Sequence, residues 1–414
     1  MNRRNFCLRL SSFGLAALHN NITFSLDIKP DYKPNENSVV YLFLNGGPSH
    51  IELFNTIPNS TGDRKSVIGS LKTNIQGIEI GGLFHNLSKI ADKFSIISNF
   101  KHSDPNHDSA VHWMMTGEKT TPNSPPKWPS YGSVTSVIYG TNSEPYKLPT
   151  YIKLSNIPYD GSAWLGAKYG GYTATQEGIR DLEAKDKDRF SEKLKILDII
   201  QNNSPIGQTL RSSKDWIELE NQASEIILGS ATEAFKIDKD KEYHRYKDHQ
   251  LGKDLLTALR LIERGVKFVT INYGGWDMHQ NIFDGFNQNA PPLDKYVSCF
   301  IESAQMRQLD HKNMFVMSGD FGRTPKINKD GGRDHWPHII PLFISSKAYP
   351  MGRIIGRCDS NAEQVDGDSF EPEDLKWTIL QHLGLSKNNI WTSTENRPMT
   401  IIRDNAKNIM DYQS

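Results

Sequence analysis

The sequence has few cysteines and lacks any long hydrophobic run. Its three cysteines, Cys7, Cys299 and Cys358, form no CxxC pair or zinc-type cluster, so no disulfide framework is predicted. If Cys7 is lost with a leader, a Cys299–Cys358 bridge is the one pairing that remains. No apolar run approaches the ~20 residues that a membrane-spanning helix requires. The sequence therefore predicts neither a small disulfide-stapled protein nor a protein with a transmembrane segment.

An excess of charge of one sign is also lacking. Lys and Arg together number 48, as do Asp and Glu, so the formal net charge is +0. Such a chain has no basic field of the kind that drives nucleic-acid binding, so no nucleic-acid partner is predicted. With 37% hydrophobic and 23% charged residues, the composition is that of a soluble globular protein. At 414 residues, one large domain or two smaller ones can form.

The N-terminus carries the pattern of an export signal. "MNRRNFCLRLSSFGLAALHNN" has adjacent Arg3 and Arg4, then Phe6, then a weakly apolar segment. It resembles a twin-arginine signal; the alternative is a basic helix with a chance Arg pair. Residues 1–30 are thus predicted to be a signal and linker read by the twin-arginine export machinery. The protein is expected in the periplasm or outside the cell.

The rest of the chain, residues 31–414, alternates buried strands with helices. Helix-forming patterns such as "DLLTALRLIERG" and "PLDKYVSCFIESAQMRQL" separate several apolar runs, which favours an α/β fold with a mostly parallel central sheet. Residues 175–246 are charged and helix-favouring, and we interpret them as a helical insertion. The predicted strands are "VVYLFL", "FSIIS", "PTYIKLS", "VKFVTIN", "NMFVMSG" and "IIPLFISS".

Polar residues cluster where these strands end. Ligands in open α/β sheets bind beyond the carboxyl ends of the strands, so these side chains are expected to meet. Imidazoles and carboxylates together suit a divalent metal ion, and an Arg fork can grip phosphate or sulfate oxygens. The residues are His50; His102, Asp104, His107, Asp108, Ser109 and His112; Asp277 and His279; Asp320 and Arg323; and Arg333, Asp334, His335 and His338.

Each cluster also has a purely structural interpretation. Asp277 with His279 can simply cap a turn, and Asp320 in "GDFGRT" can cap the segment that follows. The DFG triplet does not indicate a kinase, because the Gly-rich loop, the VAIK-like Lys and the HRD motif are missing. Ser109 can be a nucleophile or a serine that lies near histidines by chance. One of His335 and His338 can be a structural histidine.

In combination, the motifs resemble a bacterial family known as domain of unknown function 1501. They are "RRNF", "GGPSH", "HWMMTG", "ALRLIERGVKFVTINYGGWDMH", "GDFGRTPKIN" and "GRDHWPH", in that order over nearly the whole chain. The family is placed with the alkaline phosphatase and sulfatase superfamily. The resemblance implies an alkaline-phosphatase-like three-layer α/β/α sandwich and metal-dependent hydrolysis of phosphate or sulfate esters.

The resemblance also implies ligands for one metal ion. In the superfamily one metal takes an Asp and a nearby His from one strand end, and a later His. Asp277, His279 and either His335 or His338 match that order. The metal is expected to be zinc, manganese, calcium or iron.

A second metal site of the superfamily type is less complete in this sequence. In the superfamily this site takes an Asp from the first strand and an adjacent Asp-His pair. In this sequence Asn45 stands at the position of the first Asp, and Asp320 is followed by Phe321 instead of His. The nucleophile position falls near His107, and no formylglycine-type motif is present. Two alternatives remain: other histidines rebuild the second site, or a single metal activates water directly. Those histidines are His50, His107 and His112.

The sequence thus predicts an exported metal-dependent hydrolase whose substrate is a small-molecule or polysaccharide ester. The alternative is a non-catalytic secreted binding or surface protein that retains the fold. Asp277, His279 and His335 are expected to bind metal, with His338, Asp320 and His50 as further ligands. Asp320 alternatively orients the water, and His107 acts as acid, base or ligand. Arg323 and Arg333 are expected to hold the anionic group.

Overall fold

The fold is described from a computed structural model of the chain. The described residues are 35–123, 128–143, 146, 148–174, 187–204, 217, 224, 231–387, 390–392 and 398–413. The predicted signal at residues 1–30 lies outside them. Among the described residues no helix is long and apolar enough to cross a membrane.

The strands form one large sheet and several two-stranded ribbons. Within the described part of the chain, the large sheet has eight strands in the order β14-β4-β13-β10-β1-β9-β7-β8. In chain order the strands are β1 (Ser38–Leu44), β2 (Ser70–Lys72), β3 (Glu79–Gly81), β4 (Ser95–Ile97), β5 (Asn142–Ser143), β6 (Leu148–Pro149), β7 (Tyr151–Lys153), β8 (Tyr172–Thr173), β9 (Phe268–Asn272), β10 (Asn313–Gly319), β11 (Gly322–Arg323), β12 (His335–Trp336), β13 (Leu342–Ser345), β14 (Ile354–Ile355), β15 (Ile390–Thr392) and β16 (Pro398–Thr400).

The centre of the sheet is parallel, as predicted. β1 pairs in parallel with β10 and with β9, and β9 pairs in parallel with β7. β13 is antiparallel to both of its neighbours, β10 and β4. The register Leu44↔Gly319 and Phe43↔Asn272 brings β1, β10 and β9 to an end at the same edge. That shared edge positions the loops that carry the predicted site residues.

Helices cover both faces of the sheet. In chain order they are α1 (His50–Leu53), α2 (His107–Thr116), α3 (Tyr131–Tyr139), α4 (Lys187–Asn203), α5 (Tyr243–Tyr246), α6 (Gln250–Glu263), α7 (Ile282–Met306) and α8 (Pro372–His382). α6 and α7 belong to the core on one face, and α2, α3 and α8 to the core on the other.

The alternation of side chains along β1 shows why two helical layers are needed. Val40, Leu42 and Leu44 belong to one core, whereas Val39, Tyr41 and Phe43 belong to the other. All six are fully buried. Because successive residues of a strand point to opposite faces, an entirely apolar strand requires cover on both sides. The predicted three-layer α/β/α sandwich with a mostly parallel sheet is confirmed.

One helix is longer than its sequence pattern predicts. α7 starts at Ile282, ten residues before the predicted segment at Pro292, and contains Pro291 and Pro292. Proline usually interrupts a helix, because it lacks a backbone N–H and its ring clashes with the preceding turn. The buried stripe of Ile282, Phe286, Ala290 and Leu293 nevertheless runs through the prolines at helical spacing. Burial of that stripe outweighs the cost of the proline pair.

Two further predictions concern the insertion and the cysteines. Of residues 175–246, the described parts are helix α4, helix α5 and short 3-10 turns, and no strand occurs among them. Whether they form a separate insertion stays a prediction. Among the described residues Cys299 and Cys358 are both free thiols, so the bridge between them does not form.

Candidate metal centre

The site is built at the edge where the three central parallel strands end. β1 continues into Asn45, Gly46 and Gly47, β9 leads to Asp277, and β10 leads directly to Asp320. The carboxyl ends of parallel strands meet at one edge, where a sheet leaves room for a ligand. The loop containing His335 reaches the same edge through the short β11–β12 ribbon, in which Arg323 pairs with His335.

The two glycines after β1 hold the carboxylate of Asp320. The backbone N–H groups of Gly46 and Gly47 donate to Asp320 Oδ1 over 2.9 and 3.0 Å. Their φ values of 109° and 71° lie in the left-handed region that favours glycine. A Cβ at Gly46 would also lie 2.6 Å from the backbone nitrogen of Asp277. The turn therefore needs glycine both for its conformation and for its close approach to the neighbouring strand end.

Asp320 in turn orients His107, the first residue of α2. Asp320 is fully buried, and its Oδ2 lies 2.5 Å from His107 Nδ1. His102 Nε2 donates to the backbone oxygen of Asp320 over 2.7 Å, and this hydrogen bond holds the Asp320 backbone in place. The hydrogen bond to Asp320 raises the pKa of His107, even though burial opposes the charge. His107 Nε2 is buried and has no hydrogen-bond partner among the residues that the structure describes.

Asp277 lies at the centre of the cluster. Its Oδ2 is 3.4 Å from His107 Nε2, and its Oδ1 is 3.0 Å from His279 Nε2 and 3.3 Å from His335 Nε2. Burial raises the pKa of Asp277, but the hydrogen bond and charge of Arg323 outweigh burial and lower it to about 2. Asp277 is therefore a carboxylate at neutral pH.

The other nitrogen of His279 and of His335 is tied to an acceptor. His279 Nδ1 lies 2.8 Å from Asp334 Oδ1, and His335 Nδ1 lies 2.7 Å from the carbonyl oxygen of Pro105. A carbonyl oxygen only accepts, so His335 Nδ1 carries the proton. The bond from His279 lowers the pKa of Asp334, which makes Asp334 an acceptor too. These partners assign the Nδ1–H tautomer to both rings.

Three imidazole lone pairs consequently face one carboxylate. In the neutral forms of His107, His279 and His335 with the proton on Nδ1, each Nε2 presents a lone pair toward Asp277. The Nε2 atoms of His279 and His335 are only 2.9 Å apart. Two lone pairs at that distance repel each other unless a proton or a cation lies between them. Ligand atoms of His107, Asp277 and His335 all lie within 4.8 Å of one another, close enough to share one metal ion.

The surrounding hydrogen bonds are those expected around a metal. Metal-binding histidines commonly donate their second N–H to a carboxylate or a backbone carbonyl, which fixes the ring and its tautomer. All three rings have such a partner, namely Asp320, Asp334 and the carbonyl oxygen of Pro105. The lowered pKa values of Asp277 and Asp334 keep both charged, and negative charge attracts a cation. The residues present therefore fit a divalent metal ion.

Arg323 and Arg333 do not point into this cluster as free anion-binding groups. Arg323 is fully buried; its Nε donates to Gly47 O and its Nη1 to Arg333 O. Its Nη2 donates to Gly46 O and, over 2.6 Å, to Asp277 Oδ1. The expected anion-gripping role of Arg323 is corrected here, because its three nitrogens already donate within the protein. Arg323 ties the first strand end to Asp277.

Arg333 has an equally structural position. It is fully buried, and its Nη2 lies 3.0 Å from Glu52 Oε1, which is also fully buried. Its Nη1 donates to the carbonyl oxygens of Thr324 and Pro325. Its predicted role in holding an anionic group is corrected for the same reason. The buried pair anchors the loop that carries Asp334 and His335.

His50 and His338 lie outside the cluster. His50 is fully buried; its Nε2 bonds to Ala362 O, and its Nδ1 accepts from the Arg323 backbone N–H. Burial lowers the pKa of His50 to about 4, so the ring is a neutral core group. His338 packs edge-on against Trp336, with the ring centroids 4.7 Å apart. Neither belongs to the group of possible ligands, so both are withdrawn as metal ligands.

Three positioning groups had no assigned role in the sequence interpretation. They are Asp334, the carbonyl of Pro105, and His102 behind Asp320. Asp334 directly precedes His335, and that adjacency was a usable signal. No sequence pattern reports which carbonyl the chain brings behind a ring.

The fold is a three-layer α/β/α sandwich around a mostly parallel sheet. The chain belongs to the family described as "Protein of unknown function (DUF1501)", whose model matches residues 36–412. The family predicted from the sequence motifs is thereby confirmed. No curated protein matches the chain.

Several solved structures are similar to the chain. A protein in the alkaline phosphatase superfamily from Vibrio parahaemolyticus is 12% identical, with a TM-score of 0.38 over 93% of this chain and 76% of that one. The sulfatase PsFucS1 from Pseudoalteromonas sp. is 13% identical, with a TM-score of 0.38 over 91% and 72%. The C-terminal periplasmic domain of EcEptC from Escherichia coli, in complex with Zn, is 10% identical, with a TM-score of 0.41 over 87% of each chain.

Proposed function

We propose that the protein is an exported metal-dependent hydrolase of phosphate or sulfate esters. The supporting observation is the convergence of the three Nε2 lone pairs of His107, His279 and His335 on the Asp277 carboxylate. A bound divalent ion would polarise an ester oxygen and lower the pKa of a water molecule. The half-exposed Asp277 and His279 leave that ion open to a substrate from the solvent side.

The donor set narrows the choice of metal. Asp277 supplies carboxylate oxygen, and the three histidines supply imidazole nitrogen. Calcium prefers an all-oxygen shell, so three imidazoles disfavour it. Zinc, iron and manganese accept mixed nitrogen and oxygen ligands. We therefore propose one of these three as the resident ion.

The residues of the chain divide into ligands and groups that hold them. Asp277, His107 and His335, whose ligand atoms lie within 4.8 Å of one another, would bind the ion, and His279, with its Nε2 3.0 Å from Asp277 Oδ1, would be the fourth ligand. Asp320 acts through His107, because Gly46 and Gly47 fix its Oδ1 while its Oδ2 bonds His107 Nδ1.

The structure favours water over a side chain as the nucleophile. Ser109 is 1% exposed and belongs to the buried residues of α2, so its hydroxyl is not open to a substrate from the solvent. Asn45 stands at the end of the first strand and is a poor nucleophile. Direct attack by water, without a covalent enzyme intermediate, is therefore the mechanism we propose.

Turnover of simple esters tests this proposal. The purified protein, loaded in turn with zinc, iron or manganese, is assayed with aryl and alkyl phosphates and sulfates. We expect hydrolysis that Asp277→Asn reduces by at least about 100-fold, because the metal loses its carboxylate ligand. A protein that binds metal but hydrolyses none of these esters would instead be the non-catalytic binding protein that the sequence left as the alternative.

Export is the second part of the proposal and depends on the N-terminal pattern around Arg3 and Arg4. Twin-arginine export carries folded proteins, so a metal could be loaded before export. The signal lies outside the described residues. The proposal is tested by measuring whether the protein is found in the cytoplasm or in the exported fraction of the cell.

A further inference from the structure

Asn328 lies in the loop between β11 and β12, beside the segment that carries His279. It opens a tight turn, in which its backbone N–H donates to Gly332 O over 2.8 Å and the Gly331 N–H donates to Asn328 O over 3.1 Å. The Asn328 side chain is partly buried. The chemistry derived above gives this residue no role.

The side-chain amide of Asn328 makes four hydrogen bonds. Its Nδ2 donates to the carbonyl oxygen of His279 over 2.8 Å and to Asp334 Oδ1 over 3.2 Å. Its Oδ1 accepts from the backbone N–H groups of Asp330 and Gly332, each over 3.0 Å. An asparagine amide has two N–H groups and two lone pairs, so all of them are used. Acceptors on one side and donors on the other fix which way the amide faces.

These bonds connect Asn328 to both ends of His279. The amide holds the backbone oxygen of His279, and it also holds Asp334 Oδ1, the atom that lies 2.8 Å from His279 Nδ1. The ring of a histidine turns about two side-chain torsions, of which the second is only weakly restricted on its own. A ring that is tied at its backbone and at Nδ1 to one amide has a fixed direction for Nε2.

The direction of His279 Nε2 decides whether His279 can share an ion with its neighbours. Nε2 lies 3.0 Å from Asp277 Oδ1 and 2.9 Å from His335 Nε2. His279 is half-exposed, so packing alone does not hold its ring. The hydrogen bonds from Asp334 and Asn328 supply that restraint.

The loop itself is held against the backbone of the His279 segment. The Arg333 N–H donates to Met278 O over 3.1 Å. A Cβ at Gly332 would lie 2.1 Å from the backbone carbon of His279, so the two segments approach as closely as glycine permits. The position of Asn328 relative to His279 is therefore set by the backbone and not by its side chain alone.

We propose that Asn328 is a positioning residue of the metal centre, which aims His279 Nε2 at the ion through Asp334 and through the His279 backbone. The inference rests on the proposed function for the presence of the ion, and it requires no turnover of an ester. Removing the Asn328 amide leaves every ligand in the chain but releases the ring of His279.

The variants have to separate positioning from the stabilisation of the turn. Asn328→Ser keeps a hydroxyl that can accept from the turn, as serine does in place of asparagine, but lacks the amide that reaches His279 and Asp334. Thermal unfolding of the metal-free protein measures what the turn loses. Asn287→Ser is the matched control, since the Asn287 amide donates to Phe283 O within α7.

Zinc affinity, measured by chelator competition, gives the first readout. We expect zinc to bind about tenfold more weakly to Asn328→Ser and equally well to Asn287→Ser, as for other groups that orient a ligand. In an Asp334→Ala background the same change should cost no more than about twofold, because the carboxylate through which Asn328 acts is gone. Unchanged affinity in Asn328→Ser, or the full tenfold loss in both backgrounds, overturns the proposal.

The visible spectrum of the Co²⁺-loaded protein gives a readout that turn stability does not move. Its bands depend on the number and arrangement of the ligands. We expect Asn328→Ser and Asp334→Ala to shift these bands in the same direction, and Asn287→Ser to leave them unchanged. Bands in Asn328→Ser that match the parent overturn the proposal.

Failure of this proposal is distinguishable from failure of the proposed function. A parent protein that retains no ion overturns the metal centre and the role of Asn328 together. A parent that binds zinc but shows no effect of Asn328→Ser overturns the positioning role alone. If the expected losses of affinity are found and no ester is hydrolysed, the positioning role is supported and the hydrolase proposal fails.

Discussion

His279 Nε2 and His335 Nε2 lie 2.9 Å apart. Each ring donates a hydrogen bond from its Nδ1 to a fixed acceptor, Asp334 Oδ1 for His279 and Pro105 O for His335. Because Pro105 O can only accept, the proton of His335 is held on Nδ1, and Asp334 does the same for His279. Both lone pairs therefore enter the same small space beside Asp277. A positive charge at that point removes their repulsion, and this is the physical basis of the proposed metal centre.

Asp334→Asn should weaken metal binding. Asp334 orients His279 through the 2.8 Å bond to Nδ1 without being a ligand itself. Loss of a carboxylate behind a metal-binding histidine typically costs about 10- to 100-fold in affinity. A chelator competition assay measures the change. Asp330→Asn, an exposed carboxylate on the same loop, is the control, and equal affinities in both variants would show that Asp334 does not position His279.

Glu52→Gln should destabilise the fold. Glu52 and Arg333 are a fully buried ion pair, and the substitution leaves the guanidinium charge uncompensated. Breaking a buried pair in this way costs about 3–5 kcal/mol. Denaturant unfolding gives the change in free energy. The more exposed pair of Arg64 and Glu363 supplies the control, since Arg64→Gln should cost less than about 1 kcal/mol. Equal costs would contradict a structural role for the buried pair.

Acid should destabilise the protein below about pH 6.5. Burial lowers the pKa of His50, His102 and His382 from 6.5 to about 4. Between those values the unfolded chain binds more protons than the folded one, so the free energy of unfolding falls as the pH falls and levels off below about pH 4. Each histidine accounts for roughly 3 kcal/mol.

The buried carboxyl group of Asp254 changes the free energy of unfolding with pH in the opposite sense to these histidines. Burial raises its pKa from 3.8 to about 6, so its ionisation costs stability as the pH rises through that range. As the pH rises from 4 to 7, the ionisation of Asp254 therefore offsets part of the stability that the three histidines add. The contribution of the histidines remains the larger one. Denaturant titrations from pH 7 to pH 4 measure the sum. His382→Gln should flatten the slope, and an unfolding free energy independent of pH in both proteins would refute the assignment of neutral buried rings.

Replacing Arg3 and Arg4 by Lys should leave the protein in the cytoplasm, because the twin-arginine machinery reads the Arg pair as an address. Cell fractionation followed by immunoblotting measures the distribution. Arg9→Lys, a change of the same chemistry outside the pair, is the control and should be exported normally. Export of the double variant at the level of the parent would exclude twin-arginine transport.

The strands were the most predictable part of the fold. Runs such as "VVYLFL" have no polar face, so burial on both sides, and hence two helical layers, follows from composition. The antiparallel pairing of β13 with β10 and β4 does not follow from composition. An apolar run has the same pattern whether it pairs parallel or antiparallel, and only the path of the connecting chain decides.

The candidate site was predictable in its ligand types but not in the surroundings of its side chains. Asp277, His279 and His335 could be named because they follow apolar strands or belong to the family's motifs. Burial of the whole guanidinium of Arg323 could not be foreseen, since its partners are carbonyls of Gly46 and Gly47, remote in sequence. Likewise, only the folded loop shows that His335 reaches Asp277 while His338 packs on Trp336.

The metal content of the purified protein tests the central claim most directly. Elemental analysis of the protein, loaded with zinc, iron or manganese and then desalted, should give about one equivalent per chain, retained in the Asp330→Asn control. The ion should be lost from Asp277→Ala and His335→Ala while circular dichroism shows an intact fold. A protein that retains no divalent metal, or that retains it equally in all of these variants, would contradict the assignment of the cluster as a metal centre.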